Sequence, residues 1–202
     1  MFTGIIQSVG QIVSREPTGD DFRFVFASGF STMDDVALGD SIAIDGVCLT
    51  VTDIDGDNIA ADVSVETMSK TNVGNWQVGT KVNLEKSLTL NDKLGGHMVS
   101  GHVDALATCS SIENSGRSIA YTFEIPQDLD KYVVNKGSIG INGVSLTVNE
   151  IEDCIISINL IPHTLQHTNL GELSVGDQVN IEIDTIARYV EKMTRPQFQN
   201  AG

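Results

Sequence analysis

Within these 202 residues one pattern is written twice, 97 positions apart. GDSIAIDGVCLTVT (39–52) returns as KGSIGINGVSLTVN (136–149), and TNVGNWQVGTKVNLE (71–85) as TNLGELSVGDQVNIE (168–182). The same shift carries Met1-Phe2-Thr3-Gly4 onto Met98-Val99-Ser100-Gly101. Solenoid modules repeat every 20–50 residues or so, so this longer period marks two tandem domains. At roughly 95 residues each, they can bury a workable core without disulfide or metal staples.

Both halves are dominated by short alternating or β-branched runs broken by Gly, Asn and Asp, the signature of short strands. The pattern predicts strands over 2–14, 22–27, 41–45, 47–54, 57–64 and 81–86. Their counterparts fall at 99–111, 118–124, 138–142, 144–151, 154–160 and 178–184. Six strands per half, with no helical crossovers, predict an all-β protein of two tandem antiparallel barrels, since closure removes exposed edges. Short helical turns are expected at 66–71 and 163–168, and 128–133 is a further helical candidate. Asp45-Gly46 and Asn142-Gly143 are tight-turn dipeptides. Gly95-Gly96 suggests a flexible hinge, giving a first domain over 1–97 and a second over 98–185. Asp184 or Thr185 can cap a helix from Ile186 to about Thr194, followed by Pro196, in a C-terminal segment 186–202. Its apolar stripe of Ile186, Tyr189, Val190 and Met193 suits an oligomer contact better than a helix folded onto its own barrel.

The formal net charge of −15 disfavours nucleic-acid binding, which needs clustered Lys and Arg, and disfavours anionic membranes. No run approaches the roughly 20 apolar residues of a membrane span, and the first residues lack a basic, then apolar, secretory signal. A cytoplasmic protein is expected. Cys48, Cys109 and Cys154 are odd in number and form no CxxC pair, which suggests neither a disulfide framework nor a zinc site. His163 and His167 have helical ligand spacing, but their counterparts are Glu66 and Lys70. An exposed polar turn is the simpler reading, and no metal is expected. Phosphate loops, dinucleotide fingerprints and Ser/His/Asp triad motifs are missing from the sequence.

Function is sought where the copies disagree. Cys48 faces Ser145, Asp45 faces Asn142, and Ile5 faces His102. Cys48 is either a small strand residue or a thiol that meets an electrophile, its reactivity set by pKa. His102 replaces an apolar residue and titrates near neutrality, so it could move a proton; His97 reads as a loop residue. Thr50 and Thr147 match, which implies a job common to both halves. Lys136, if it faces a pocket, could offset charge on a deprotonated heterocycle.

Taken together, Met-Phe-Thr-Gly-Ile (1–5), Gly-Val-Cys-Leu-Thr-Val (46–51), Gly-Gly-His-Met-Val-Ser-Gly-His-Val (95–103), Gly-Val-Ser-Leu-Thr-Val (143–148) and Leu-Ile-Pro-His-Thr-Leu (160–165) resemble the riboflavin synthases. The resemblance spans nearly the whole chain. It implies Greek-key barrels, each holding one 6,7-dimethyl-8-ribityllumazine, and transfer of four carbons from one to the other. The products would be riboflavin and 5-amino-6-ribitylaminouracil, with no cofactor. It implies a homotrimer held by the C-terminal helix, active sites between neighbouring subunits, and lumazine synthase as a candidate partner. By resemblance Gly4, Ile5, Ile6, Ser41, Cys48, Leu49, Thr50 and the run Asp62, Val63, Ser64, Val65, Glu66 and Thr67 line the first pocket, with Phe2 beside the ring. Gly101, His102, Val103, Lys136, Ser145, Leu146, Thr147 and the run Leu160, Ile161, Pro162, His163, Thr164 and Leu165 line the second. Cys48, His102, Ser145 and Asn142 are the candidates for chemistry. Asn142 departs from the family's Asp at that turn. Either it orients by hydrogen bonding or catalysis is slower or differently shared, in which case Asn142→Asp raises turnover. A non-catalytic lumazine or flavin antenna protein is the alternative on the same fold.

Overall fold

A computed structural model describes residues 1–194; Pro196 and the rest of the expected tail lie outside the described residues. The first half comprises β1 (Ser8–Thr18), β2 (Asp21–Ala27), β3 (Ser41–Ile44), β4 (Val47–Asp55), β5 (Asn58–Val63), the short helix α1 (Val65–Lys70) and β6 (Lys81–Lys86). Its strands close into an antiparallel barrel in the order β1-β2-β5-β4-β3-β6. The hairpin-linked run β3-β4-β5, with β2 arriving beside β5, is a Greek-key arrangement. The second half repeats it with β7 (Ala105–Ser115), β8 (Ser118–Glu124), β9 (Ser138–Ile141), β10 (Val144–Thr147), β11 (Glu150–Glu152), β12 (Ile155–Leu160), α2 (Pro162–His167) and β13 (Gln178–Ile183).

Two strand expectations need correction. The strand expected over 144–151 is broken into β10 and β11, which end the sheet order β10-β9-β13-β7-β8-β12-β11. At the break Val148 N–H turns to the Gly137 carbonyl (2.9 Å) and Asn149 N–H to that of Ser157 (2.8 Å). The first barrel bends at the matching place, between Val51 and Asp53, where the β4-β5 register shifts. The second barrel is therefore a curled sheet whose two ends are consecutive in the chain. The strands expected to start at 2 and 99 begin instead at Ser8 and Ala105, because residues 1–6 and 98–103 leave their own barrels.

Each barrel has its own core. Phe24 and Phe26 meet Trp76 edge-on at 5.8 and 5.9 Å in the first, with Ile12, Ile42 and Leu84 around them. Tyr121, Phe123, Ile139, Ile156 and Ile181 fill the second. Each such side chain contributes about 1.5–3 kcal/mol on burial. After β6 and β13 the chain crosses matching clefts. Ser87, Thr89 and Asp92 line a cleft of about 590 Å³ beside Ser41. The final helix, α3 (Thr185–Thr194), lines one of about 480 Å³ beside Ser138.

Candidate ligand-binding site

The alternation of β4 decides what is offered to a ligand. Val47, Leu49 and Val51 are buried, while Cys48 is half-buried and Thr50 exposed, because successive side chains point to opposite faces of a strand. Across β3, Ser41 pairs with Thr50 and Ala43 with Cys48. Ser41, Cys48 and Thr50 thus share one outer face of the first barrel. In the second barrel Ser145 and Thr147 occupy the same positions on β10, opposite Gly140 and Ser138.

Segments exchanged between the halves complete these faces. Phe2 and Val99 exchange backbone hydrogen bonds at 2.7 and 3.0 Å, and from there each segment runs onto the other barrel. Cys48 N–H donates to the Gly101 carbonyl, and Ser145 N–H to that of Gly4, both at 2.8 Å. The approach is close enough that a Cβ on either glycine would stand 2.5 Å from the Cβ of Cys48 or Ser145. Ile6 packs into the second core and Val103 into the first. The expected lining is therefore crossed: Gly4, Ile5 and Ile6 belong with Ser145, and Gly101, His102 and Val103 with Cys48. Ile5 and His102 are both exposed, at matched positions.

Two carboxylates that sequence reasoning missed hold the exchange in place. Glu85 accepts Thr3 N–H (2.7 Å), Thr3 Oγ1–H (2.6 Å) and Gly4 N–H (2.9 Å). Glu182 does the same for Ser100 and Gly101, at 2.6, 2.8 and 2.9 Å. Burial raises the Glu85 pKa, against the Thr3 and Gly4 hydrogen bonds that lower it. A signal was available: Val-Asn-Leu-Glu recurs as Val-Asn-Ile-Glu, with Asn and Glu at strand positions where surface residues would be free to vary.

The asparagines of those motifs form the seam between the barrels. Asn83 accepts Asn169 N–H and donates Nδ2–H to the Asn142 carbonyl (2.7 and 2.9 Å). Asn180 accepts Asn72 N–H and donates to the Asp45 carbonyl (2.8 and 2.9 Å). Gly46 and Gly143 abut there, each at φ +78°, and a Cβ on one would stand 2.7 Å from the amide nitrogen of the other. Asp45 accepts Asn83 N–H (2.7 Å) and Asn169 Nδ2–H (2.9 Å). Burial pushes its carboxyl up to about 7, against those hydrogen bonds. Asn142 is buried at the matching place, its Oδ1 accepting Asn180 N–H at 2.8 Å. A seam groove of about 560 Å³ is lined by Asp45, Asn142, Asn72 and Asn169, and by none of Cys48, His102 and Ser145.

The other expected lining residues are distributed as follows. Phe2 is fully buried in a small cluster with Ala43, Val99 and Cys48, separate from the core of the first barrel. Leu49, Val63 and Leu160 point into the barrel cores, and Leu146 packs against the second core. Asp62 and Thr50 are exposed, and Ser64 caps α1 by accepting Thr67 N–H (3.2 Å), with Val65 and Glu66 exposed beside it. Ile161 precedes α2, Pro162 opens it, and Thr164 and Leu165 lie on it. His163 and His167 stack at 4.1 Å on the exposed surface, and among the described residues no cluster suits a metal.

Lys136 stands in left-handed backbone. Its φ is +65°, where the repeat has Gly39 at +89°. Left-handed backbone costs a non-glycine residue about 1–2 kcal/mol, and such strain gathers at functional positions. Ser145 has a partner the repeat does not supply: its Oγ lies 2.7 Å from Nδ1 of His97, which is buried. The expected Gly95-Gly96 hinge is instead a close contact, since a Cβ on Gly96 would stand 2.2 Å from the Thr3 carbonyl oxygen and 2.7 Å from Ser145 Oγ.

Residues 3–87 and 100–184 each match the model of the lumazine binding domain. The chain belongs to the lumazine-binding family. Within it, the chain is 42% identical over 193 residues to a riboflavin synthase of Photobacterium phosphoreum, covering 96% of this chain and 88% of that protein. It is 40% identical over 200 residues to that of Bacillus subtilis (99% and 93%) and 41% over 199 to that of Mycobacterium bovis (96% and 98%). A crystal structure of LumP complexed with riboflavin aligns at TM-score 0.82 with 34% identity, covering 91% of this chain and 99% of that one. LumP complexed with 6,7-dimethyl-8-(1'-D-ribityl) lumazine aligns at 0.81 with 32% identity and the same coverage. The two copies of the lumazine-binding domain coincide with the two barrels.

Proposed function

We propose that this chain is a riboflavin synthase. It takes two molecules of 6,7-dimethyl-8-ribityllumazine and transfers four carbons from one to the other, giving riboflavin and 5-amino-6-ribitylaminouracil. The observation that carries the reading is the pair of matched outer faces, Ser41–Cys48–Thr50 and Ser138–Ser145–Thr147, on a chain about 40% identical to riboflavin synthases over nearly its full length. A reaction between two copies of one substrate needs two similar pockets that treat their ligands differently. The repeat supplies the similarity, and the exchanges at 48/145 and 5/102 supply the difference.

The reaction requires loss of a proton from the C7 methyl of one lumazine, nucleophilic addition at C7 of the other, and carbon–carbon bond formation between them. Holding two flat rings face to face supplies much of the rate by proximity. We assign Cys48 and His102 to the first face, with Thr50, Ser41 and Asp62. To the second we assign Ser145, Lys136 and Thr147, with Ile5 and the Ile161–Leu165 turn. Lys136 would offset negative charge on a deprotonated ring. Asn142 is reassigned from chemistry to the seam, where its side chain is already engaged. Both faces being open, we propose that they meet between subunits of a trimer. The exposed Tyr189 and Met193 of α3 (68% and 84%) would form the contact, in a cytoplasmic enzyme supplied by lumazine synthase.

The likeness to ligand-bound LumP gives the second reading, a binding protein without turnover. Catalytic amounts of protein separate the two. The synthase reading predicts many riboflavins per chain, with Cys48→Ser and His102→Gln lowering kcat at least tenfold. Stoichiometric binding with lumazine recovered unchanged would establish the binding protein instead.

A further inference from the structure

The second face carries a device that the repeat does not provide for the first. His97 lies between the two matched domain segments, in the stretch where the linker lies against residues 1–5. Its N–H donates to the Thr3 carbonyl (3.1 Å), and glycine at 96 lets the linker rest against Ser145. The ring is then fixed with Nδ1 2.7 Å from Ser145 Oγ. Nε2 is buried, and among the described residues it has no hydrogen-bond partner.

That orphaned nitrogen decides the direction of the hydrogen bond. A neutral imidazole carries one N–H and one bare nitrogen. With the proton on Nε2, a buried N–H would have no acceptor, the rarer and more costly defect. With it on Nδ1, the ring donates to Ser145 Oγ and leaves only a bare nitrogen buried. Burial lowers the His97 pKa, against the opposing pull of Asp184 and Glu182, which favours the neutral ring near neutral pH. Ser145 Oγ then already accepts one hydrogen bond, and its own proton is free to point outward.

We infer that His97 is a positioning residue that fills one acceptor site of Ser145 Oγ and holds its O–H ready to donate to a carbonyl oxygen or ring nitrogen of the heterocycle on the second face. Resting on the lumazine reading above, this adds a specificity element: the second face selects a ring that presents an acceptor at Ser145. The first face has Cys48 at that place, a much weaker donor.

Two measurements test it. ¹⁵N NMR of the ligand-free, histidine-labelled protein reads the tautomer directly. Protonated Nδ1 on neutral His97 is expected, and protonated Nε2 would overturn the inference. Riboflavin titration then reads the two sites. His97→Leu is expected to weaken one site about tenfold and leave the other unchanged. His97→Asn, which keeps a donor near the Nδ1 position, should recover most of that loss. Ser145→Ala in the His97→Leu background should cost little more, the non-additivity of a coupled pair. Additive losses, or a His97→Asn variant as weak as His97→Leu, would overturn it. A wild-type chain that binds riboflavin at two sites but never forms it from lumazine would refute the synthase reading alone.

Discussion

Asp45 and Asn142 occupy matched places in one buried network, so the repeat contains its own control experiment. Asp45 has a folded pKa of about 7 against an ordinary 3.8. A carboxyl whose pKa rises on folding prefers to be protonated in the folded state, so stability falls as pH rises from about 4 to about 7. Three units correspond to a ceiling on the order of 4 kcal/mol. Asp45→Asn should flatten that slope and raise stability at pH 8, as urea unfolding at pH 5 and pH 8 would show; an unchanged slope would place the titration elsewhere. Asn142→Asp, expected from sequence to raise turnover, should instead add a second buried carboxyl and make the pH dependence steeper. Lys136 offers a separate test. Lys136→Gly removes a left-handed strain of about 1–2 kcal/mol, so stability should hold or rise while lumazine affinity falls. A loss of stability would make the lysine structural.

At the scale of elements, β6 and β13 each carry, one residue before their end, a carboxylate that ties down a segment exchanged between halves. Glu182→Gln would bring an amide NH₂ against N–H donors in a buried place, costing about 2–3 kcal/mol. Denaturant unfolding would measure it, and a change within about 0.5 kcal/mol would show the tether to be dispensable. Much of this level was legible. Alternation along 47–51 separates Cys48 and Thr50 from Leu49, and the turn dipeptides placed the hairpins. The exchange itself was not, because strand periodicity is local while a segment's choice of barrel depends on partners in the other half of the chain, Gly101 for Cys48 and Ser145 for Gly4. Glu85 and Glu182 left a trace in the repeat; His97 left none, since the 97-residue frame carries it onto Thr194 at the end of α3 rather than onto a histidine. Helix α3 fits both sequence readings in part. Glu191 meets Lys131 and Tyr132 of the adjacent barrel, and Arg188 meets Asp104, while Tyr189 and Met193 stay uncovered. Tyr189→Asp with Met193→Asp should therefore leave the fold intact and reduce the proposed trimer to monomers in sedimentation; a trimer of unchanged mass would move the contact elsewhere.

For the whole molecule, the repeat gives one chain two similar faces with different side chains at 48/145 and 5/102, each built partly from the other half. A single barrel would present Cys48 without the Gly101–His102 segment, or Ser145 without Gly4–Ile5 and His97. We propose that the two faces are non-equivalent sites for the same class of ligand. Equilibrium titration with a non-reacting lumazine analogue distinguishes them. Two sites per chain are predicted, with Cys48→Ala weakening one and Ser145→Ala the other. One site per chain, or both substitutions acting on the same site, would contradict it.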